Sequence, residues 1–177
     1  YLEGYLWDPP NAKKAFLEAI NIAKAADTKV ALSLSDAFCV DRYRSEFLDL
    51  VRTHVDILFG NEIELLSLYQ VENLNEAIGL VQDDCEIVAV TRDSRGSIVI
   101  ENRRAFEIAA QKIDTVIDTT GAGDLYASGF LYGMTRDMDI RQCGRLGGLA
   151  ASSIITQFGA RPEESLMPLI DRVAVSN

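Results

Sequence analysis

The first 60 residues alternate between apolar runs of strand length and segments with the apolar spacing of a helix. Residues 1–6, 29–34 and 55–59 are predicted strands. The segments between them carry apolar residues three and four positions apart, which is the period of an amphipathic helix. Strands that alternate with helices form a parallel sheet with right-handed crossovers and helices on both faces. The sequence therefore predicts an α/β fold whose ligands bind beyond the carboxyl ends of the strands.

Side chains that can cap helices mark where the predicted helices begin. Asp8 precedes Pro9 and Pro10, and prolines suit the first turn of a helix, so we expect Asp8 to cap the first helix. Asp41 is expected to cap the second. Towards the end of the chain, residues 139–158 predict one long helix with a face of small side chains, which favours tight packing on a neighbouring helix.

A glycine-rich turn lies between an apolar run and another helical pattern. Residues 115–117 are predicted to end a strand, and the sequence DTTGAGD follows at residues 118–124. Glycine lets the backbone approach a phosphate closely, and the first N–H groups of a helix lack internal acceptors. The turn fits neither the Gly-x-x-x-x-Gly-Lys-Ser/Thr pattern nor Gly-x-Gly-x-x-Gly. It therefore predicts an anion site of a different kind.

Asp124 stands where a P-loop would carry its lysine, in the first turn of the predicted helix. A carboxylate there can accept the proton of a hydroxyl, while the backbone of Gly121, Ala122 and Gly123 stabilises an anion. Phosphoryl transfer depends on this kind of alignment and charge stabilisation. The alternative is an ordinary helix start that is capped by one of the two preceding threonines.

Residues 118–124, followed by YASGF at 126–130, resemble the second signature of the PfkB or ribokinase-like carbohydrate and nucleoside kinases. The resemblance implies that Asp124 is the general base for the substrate hydroxyl and that residues 121–123 form the anion hole. It also implies a three-layer α/β/α ribokinase-like fold with a mostly parallel central sheet. Residues 1–177 would be a single α/β domain, the C-terminal nucleotide-binding and catalytic part, with the N-terminal part and the lid absent.

Asn61 and Glu64 follow the predicted strand 55–59 and are three residues apart. On the first turn of a helix, this spacing puts an amide and a carboxylate on one side, where they can order water around a divalent cation or a phosphate. The structural alternative is a capping box, in which each residue binds the other's backbone. The pair resembles the family's Asn-x-x-Glu motif, which implies a role for Asn61 and Glu64 in binding Mg²⁺ and phosphate.

Two further predicted strands, 86–91 and 96–100, are joined by a loop short enough for a hairpin. Thr91 and Gly96 resemble the ends of the family's Thr-x-Gly-x-x-Gly loop, which implies contact with ATP. Asp93 departs from that pattern, because it stands where the first glycine is common. Thr91 is therefore a weaker candidate than Asp124.

The resemblance implies two cofactors, ATP and Mg²⁺, and it puts the adenine pocket near the helix predicted over residues 139–158. It also allows a monovalent cation such as K⁺ near Asp118, Thr120 and Gly159.

Composition and charge exclude several other classes of protein. The net charge is −10 and no basic patch is concentrated in the sequence, which argues against binding to nucleic acid or to an anionic membrane. The apolar runs are too short or too interrupted to cross a bilayer, and the first residues do not form a signal peptide, so a cytoplasmic location is expected. Three separated cysteines predict neither a disulfide framework nor a zinc site. His54, the single histidine, is not accompanied by a Gly-x-Ser-x-Gly hydrolase elbow.

The sequence thus predicts an ATP-dependent kinase that transfers the γ-phosphoryl group to a hydroxyl of a sugar or nucleoside. Its start and its signature resemble the adenosine-kinase-like branch of sugar kinases, which implies adenosine, ribose or fructose as the acceptor class. The alternative is a non-catalytic nucleotide-binding or interaction module that keeps the fold. We expect the 177 residues to be inactive alone, and both a monomer and a homodimer stay open.

Overall fold

The structure, a computed structural model, describes residues 1–174. Within this range, none of the helices is both long enough and apolar enough to cross a membrane. The α-helices are α1 Pro10–Ala25, α2 Ala37–Thr53, α3 Glu62–Tyr69, α4 Leu74–Asp84, α5 Ala122–Met134, α6 Ile140–Ile154 and α7 Leu169–Ala174. The strands are β1 Leu2–Glu3, β2 Ala31–Ser33, β3 Ile57–Asn61, β4 Ile87–Thr91, β5 Ser97–Glu101 and β6 Arg104–Ile108.

The strands form one mostly parallel sheet in the order β1-β2-β3-β4-β5-β6. Strands β1, β2 and β3 are parallel, with Leu2 beside Leu32 and Leu32 beside Leu58. β5 and β6 are adjacent and are joined by Asn102 and Arg103, whose φ angles of 49° and 61° are those of a type I′ hairpin turn. The predicted α/β class is confirmed, whereas β6 was not predicted.

The chain divides into two compact units: Tyr1–Val90 with Ile100–Arg104, and Thr91–Val99 with Ala105–Asn177. In the first unit, Leu32 and Leu58 on the central strands and Phe47 on α2 are fully buried. Each such side chain contributes about 1.5–3 kcal/mol when it leaves water. This core therefore holds the carboxyl ends of β1, β2 and β3 in fixed positions.

In the second unit, α5 and α6 pack with their backbones almost in contact. A Cβ on Gly129 of α5 would lie 2.7 Å from the carbonyl oxygen of Leu146, and a Cβ on Gly147 would lie 2.8 Å from the carbonyl oxygen of Tyr126. The predicted small-residue face thus serves helix packing. The helix itself is shorter than the predicted 139–158, because it ends at Ile154.

Two predicted helix caps are wrong. Pro9 is the residue before α1, and no side-chain hydrogen bond caps the described start of that helix. Asp8 instead accepts hydrogen bonds from Arg42 Nη1 and Tyr43 Oη, both at 2.6 Å. α2 is capped by Asp36, whose carboxylate accepts from the Phe38 amide at 2.7 Å, and the predicted cap Asp41 lies inside the helix. The chain leaves β2 early enough for the first of the two aspartates to take the capping position.

Two predicted strands also need correction. The first is shorter than residues 1–6, because only Leu2–Glu3 pairs in the sheet and the chain then turns into a 3₁₀ helix over Gly4–Trp7. Residues 115–117 form no strand at all. The amide of Ile117 donates instead to the carbonyl of Ile155, just past the end of α6, at 2.8 Å. This segment therefore bonds to the end of a helix and does not belong to the sheet.

Candidate active site

The glycine-rich turn opens α5 in a conformation that only glycine adopts without strain. Gly121 precedes the helix with a φ of 80° and a ψ of 3°. A Cβ there would also lie 2.8 Å from the Cβ of Ala160. Of the predicted strand-to-helix turn, the helix is present, with α5 beginning at Ala122, whereas the strand before it is not.

No side chain caps α5 anywhere in the described part of the chain. The amide of Ala122 donates to the Thr119 carbonyl at 3.1 Å, and the hydroxyl of Thr120 donates to Asp118 at 2.7 Å. The threonine cap that was the alternative reading is therefore wrong. A Cβ on Gly123 would meet no described atom within 4 Å, so the space beside the first helical turn is open. An anion can approach the helix start from this open side.

Asp124 lies in this first turn, and its residue surface is exposed. A carboxylate at this place is accessible to a hydroxyl group that approaches the open side of the turn. Asp124 also lies at the positive end of the α5 dipole. Its role as a base for a bound hydroxyl stays a prediction.

Asp118 ties the start of the turn to a distant loop. One carboxylate oxygen accepts from the amide of Thr120 at 2.9 Å as well as from its hydroxyl, and the other accepts from the amide of Gly159 at 2.9 Å. These hydrogen bonds hold the pKa of Asp118 below its usual range, with the Thr120 hydroxyl as the largest cause. The three residues proposed for a monovalent cation are thus neighbours, and the cation itself stays a prediction.

The loop between β4 and β5 is a tight hairpin turn. The amide of Arg92 donates to the Gly96 carbonyl at 2.7 Å, and Gly96 has a φ of 82°. A Cβ on Gly96 would lie 2.0 Å from the Ile108 carbonyl oxygen, so the loop is wedged against the end of β6. Asp93 has a φ of 50°, and aspartate is one of the few residues other than glycine that tolerate this region. Asp93 can therefore replace the glycine expected there without changing the turn.

Thr91, the other candidate residue of this loop, ends β4 and is half-buried. Arg92 is paired with Glu107, with 3.5 Å between Nη2 and Oε2. This ion pair gives Arg92 a structural role in the hairpin.

A cavity of about 610 Å³ also lies in the second unit. It is lined by residues 105–111 and by Arg141 and Arg145 of α6, and the Arg141 guanidinium lies 4.4 Å from the centre of the Phe106 ring. Its size is that of a small-molecule site. The family resemblance implied an adenine pocket near the helix predicted over residues 139–158, whereas the lining by residues 105–111 was not predicted.

Asn61 and Glu64 form the capping box of α3 in full. The Asn61 side-chain oxygen accepts from the Glu64 amide at 2.8 Å, and the Glu64 carboxylate accepts from the Asn61 amide at 2.9 Å and from Asn61 Nδ2 at 2.7 Å. Glu64 is only 6% exposed. Burial raises its pKa, and the nearby carboxylates of Asp36 and Glu3 raise it further, whereas the Asn61 amide lowers it.

The capping box leaves some acceptor sites of the Glu64 carboxylate unoccupied. Each of its oxygens accepts one hydrogen bond from Asn61 and keeps a second acceptor site for water. Among the described residues there is no group of three or more His, Cys, Asp or Glu side chains that could hold a metal. Mg²⁺ usually keeps several waters and binds to few carboxylates together with substrate phosphates. Asn61 and Glu64 therefore fit a magnesium ion held through water, and not a cage of protein ligands.

The candidate residues fall into two groups. Asn61 and Glu64 belong to the first unit, whereas Thr91, Gly96 and residues 121–124 belong to the second. The hairpin loop, the open start of α5 and the large cavity all belong to the second unit.

The pattern of the pfkB family carbohydrate kinases matches residues 1–166. The chain belongs to this family. Among curated pfkB relatives, a nucleoside kinase of Methanocaldococcus jannaschii is 29% identical over 154 residues, which cover 87% of this chain and 49% of that protein. The fold class and the kinase family resemblance predicted from the sequence are confirmed.

Two solved structures are more similar to this pfkB chain. One is the adenosine kinase from Sinorhizobium meliloti, with 48% identity, a TM-score of 0.93, and coverage of 96% of this chain and 52% of that one. The other, a "probable sugar kinase protein" from Rhizobium etli, has 48% identity, a TM-score of 0.94, and coverage of 97% and 52%. The chain spans about half the length of the relatives that it matches.

Proposed function

We propose that the protein to which this chain belongs transfers the γ-phosphoryl group of ATP to a hydroxyl of a sugar or nucleoside. The observation that carries the proposal is the start of α5, where no side-chain hydrogen bond caps the helix among the described residues, a Cβ on Gly123 would meet open space, and Asp124 is exposed. An uncapped helix start favours a bound phosphate, and an adjacent carboxylate favours a hydroxyl that gives up its proton.

In the proposed reaction, each group of residues has a separate task. Asp124 accepts the proton of the acceptor hydroxyl as its oxygen attacks phosphorus. The backbone of Gly121, Ala122 and Gly123 stabilises the charge on the transferring phosphoryl group. Asn61 and Glu64 would hold Mg²⁺ through water, and the bound ion would neutralise charge on the phosphates. Thr91 and Gly96 border the nucleotide, and K⁺ remains a candidate near Asp118.

The nucleotide base is proposed to enter the cavity lined by residues 105–111 and α6. Phe106 offers an aromatic face and Arg141 a planar cation, and both groups stack on flat heterocycles. The names of two relatives, a nucleoside kinase and an adenosine kinase, favour adenosine as the acceptor. Ribose and fructose are the next candidates. The reaction is proposed to take place in the cytoplasm and to use the ATP there.

We also propose that the 177 residues alone lack turnover. The chain spans about half the length of its relatives, and a hydroxyl that is not aligned against its base loses a large part of the catalytic effect. A non-catalytic module is the competing function. It would bind ATP and Mg²⁺ without transferring the phosphoryl group in the full-length parent.

The test replaces Asp124 with Asn in the full-length parent. Because the variant keeps the shape of the side chain and removes its basicity, turnover should fall by about two to four orders of magnitude, with little change in melting temperature. Turnover is measured as ADP release with adenosine, ribose and fructose. Asp137→Asn makes the same change at an exposed position with a positive φ that asparagine tolerates, and it should leave turnover unchanged.

Two outcomes would contradict the proposal. Unchanged turnover in Asp124→Asn would remove Asp124 from the chemistry. Binding of ATP by the parent, with no transfer to any of these acceptors, would favour the non-catalytic module.

A further inference from the structure

Ser97 and Tyr126 form a buried pair of hydroxyl groups in the second unit. Their side chains belong to residues that are 2% and 4% exposed, and the Tyr126 hydroxyl donates to Ser97 Oγ at 2.8 Å. Burial raises the pKa of Tyr126 to about 12. The phenol therefore stays protonated and keeps its donor role at neutral pH.

The pair connects two segments that the proposed function assigns to the nucleotide. Ser97 directly follows Gly96, which is wedged against the end of β6 at the base of the hairpin loop. Tyr126 lies two residues after Asp124, at the beginning of α5. These segments are 29 residues apart in the sequence, and the hydrogen bond joins them directly.

The tyrosine ring has little freedom to move away from the serine. A Cβ on Gly147 of α6 would lie 3.3 Å from two ring carbons of Tyr126, so only a glycine lets the helix pack this closely on the ring. Phe130, one turn further along α5, stacks on the ring with 6.3 Å between centres. The position of the hydroxyl is thereby set by the packing of α5 on α6.

Two apolar side chains would fill this buried place at a lower cost in desolvation free energy. Two buried hydroxyl groups must be desolvated, and a single bond between them returns little net stability. What the bond adds is direction, because it forms only at one separation and one orientation of the two segments. The two buried hydroxyl groups thus fix the position of the loop relative to the helix start.

We propose that Ser97 and Tyr126 are positioning residues that hold the 92–96 loop and the start of α5 in the arrangement that binds the nucleotide. This inference rests on the proposed function. Neither side chain reaches the reacting atoms, since both are buried, and they act through Gly96 and through the first turn of α5.

The experiment compares Ser97→Ala, Tyr126→Phe and the double variant in the full-length parent. Each single change leaves one buried hydroxyl without its partner and should lower the melting temperature. The double change removes both hydroxyls and should recover most of that loss, because replacing both partners by apolar groups is close to neutral. Melting temperature, kcat, and KM for MgATP and for the acceptor are measured for each.

We expect KM for MgATP to rise by about tenfold in all three variants, since a shift of the loop against the helix by a fraction of an ångström is enough to weaken binding. In the double variant, this defect should persist although its stability is restored, and KM for the acceptor should stay unchanged. Tyr132→Phe removes another tyrosine hydroxyl from α5 and should match the wild type in all measurements.

A double variant with wild-type KM for MgATP and wild-type kcat would overturn the inference, because the pair would then serve stability alone. If the single variants fail to fold, the double variant still gives this answer. A parent without any phosphoryl transfer is the separate failure of the proposed function. In that case, calorimetry with a non-hydrolysable ATP analogue decides, and equal affinities of parent and double variant overturn the inference.

Discussion

Helices α3 and α5 begin in opposite ways, although both starts match a motif of the same family. At α3, Asn61 and Glu64 bind each other's backbone and close the first turn with the chain's own side chains. At α5, a glycine with a positive φ precedes the helix, and no side chain of the described residues caps it. The first helix start is closed by side chains, whereas the second has no side-chain cap among the described residues.

The comparison separates two ways of using a helix N-terminus. A closed start satisfies its amides within the chain, so it contributes stability and presents a carboxylate whose remaining acceptor sites can hold water. An open start leaves amides and the helix dipole for an anion. Helix α6 is of the closed kind, because Asp139 and Gln142 form a second capping box. Helix α1 also has no side-chain cap among the described residues, but it begins at prolines, whereas α5 begins after a glycine with a positive φ.

The largest effect is expected where the open start is forced to change its backbone. Gly121→Ala puts a side chain at a φ of 80° and a Cβ 2.8 Å from that of Ala160, so it should destabilise the protein by about 1–3 kcal/mol. The free energy of unfolding, measured with urea, tests this. Phosphoryl transfer by the parent should fall with it, because the turn is displaced.

Gly123→Ala is the matched control at the same helix start. A Cβ there meets no described atom within 4 Å, and alanine favours a helix over glycine by about 0.5–1 kcal/mol. The variant should therefore be as stable as the wild type or more stable, and yet bind ATP more weakly, because the methyl group enters the open space. Equal destabilisation by the two variants would contradict the proposed difference between the glycines.

A smaller effect is expected at the closed start. Asn61→Ala removes the cap of α3 and one donor to the buried Glu64 carboxylate, and it should cost about 1–2 kcal/mol of unfolding free energy. Asn61→Ser keeps a capping oxygen and loses only the Nδ2 donor. Thermal melting of both variants separates the contribution of the capping oxygen from that of the Nδ2 donor. A serine variant as unstable as the alanine variant would show that the cap contributes nothing to stability.

The sequence predicted the glycine turn before α5 and the short loop before β5, because such turns are local features. The positive φ angles of Gly121 and Gly96 were not predicted, and Gly96 ends the loop instead of beginning the strand. The capping aspartate of α2 could not be chosen in this way, since Asp36 and Asp41 are equally good acceptors and only the end of β2 selects between them.

Tertiary partners limited the other predictions. Residues 115–117 are β-branched, but such residues favour strands only when they pack on a sheet. Val116 and Ile117 are instead 55% and 46% exposed, and the Ile117 amide bonds to the end of a helix. The bond between Ser97 and Tyr126 likewise joins residues that are distant in sequence, so no local pattern indicates it.

The smallest expected effect concerns the charge of the Glu64 carboxylate at the closed start of α3. The pKa of Glu64 is raised above its ordinary value of 4.5, mainly by burial, so the folded state holds the proton of this carboxyl more tightly than the unfolded state does. Stability from this group is therefore highest at low pH and falls as pH rises from about 4.5 through the raised pKa. Glu64→Gln does not titrate at this position. The unfolding free energy of the wild type minus that of the variant should decrease over this pH range and then level off, in urea titrations at a series of pH values. A difference that increases with pH would mean that the hydrogen bonds from Asn61 outweigh burial, and the closed start would then stabilise the charge that we expect it to disfavour.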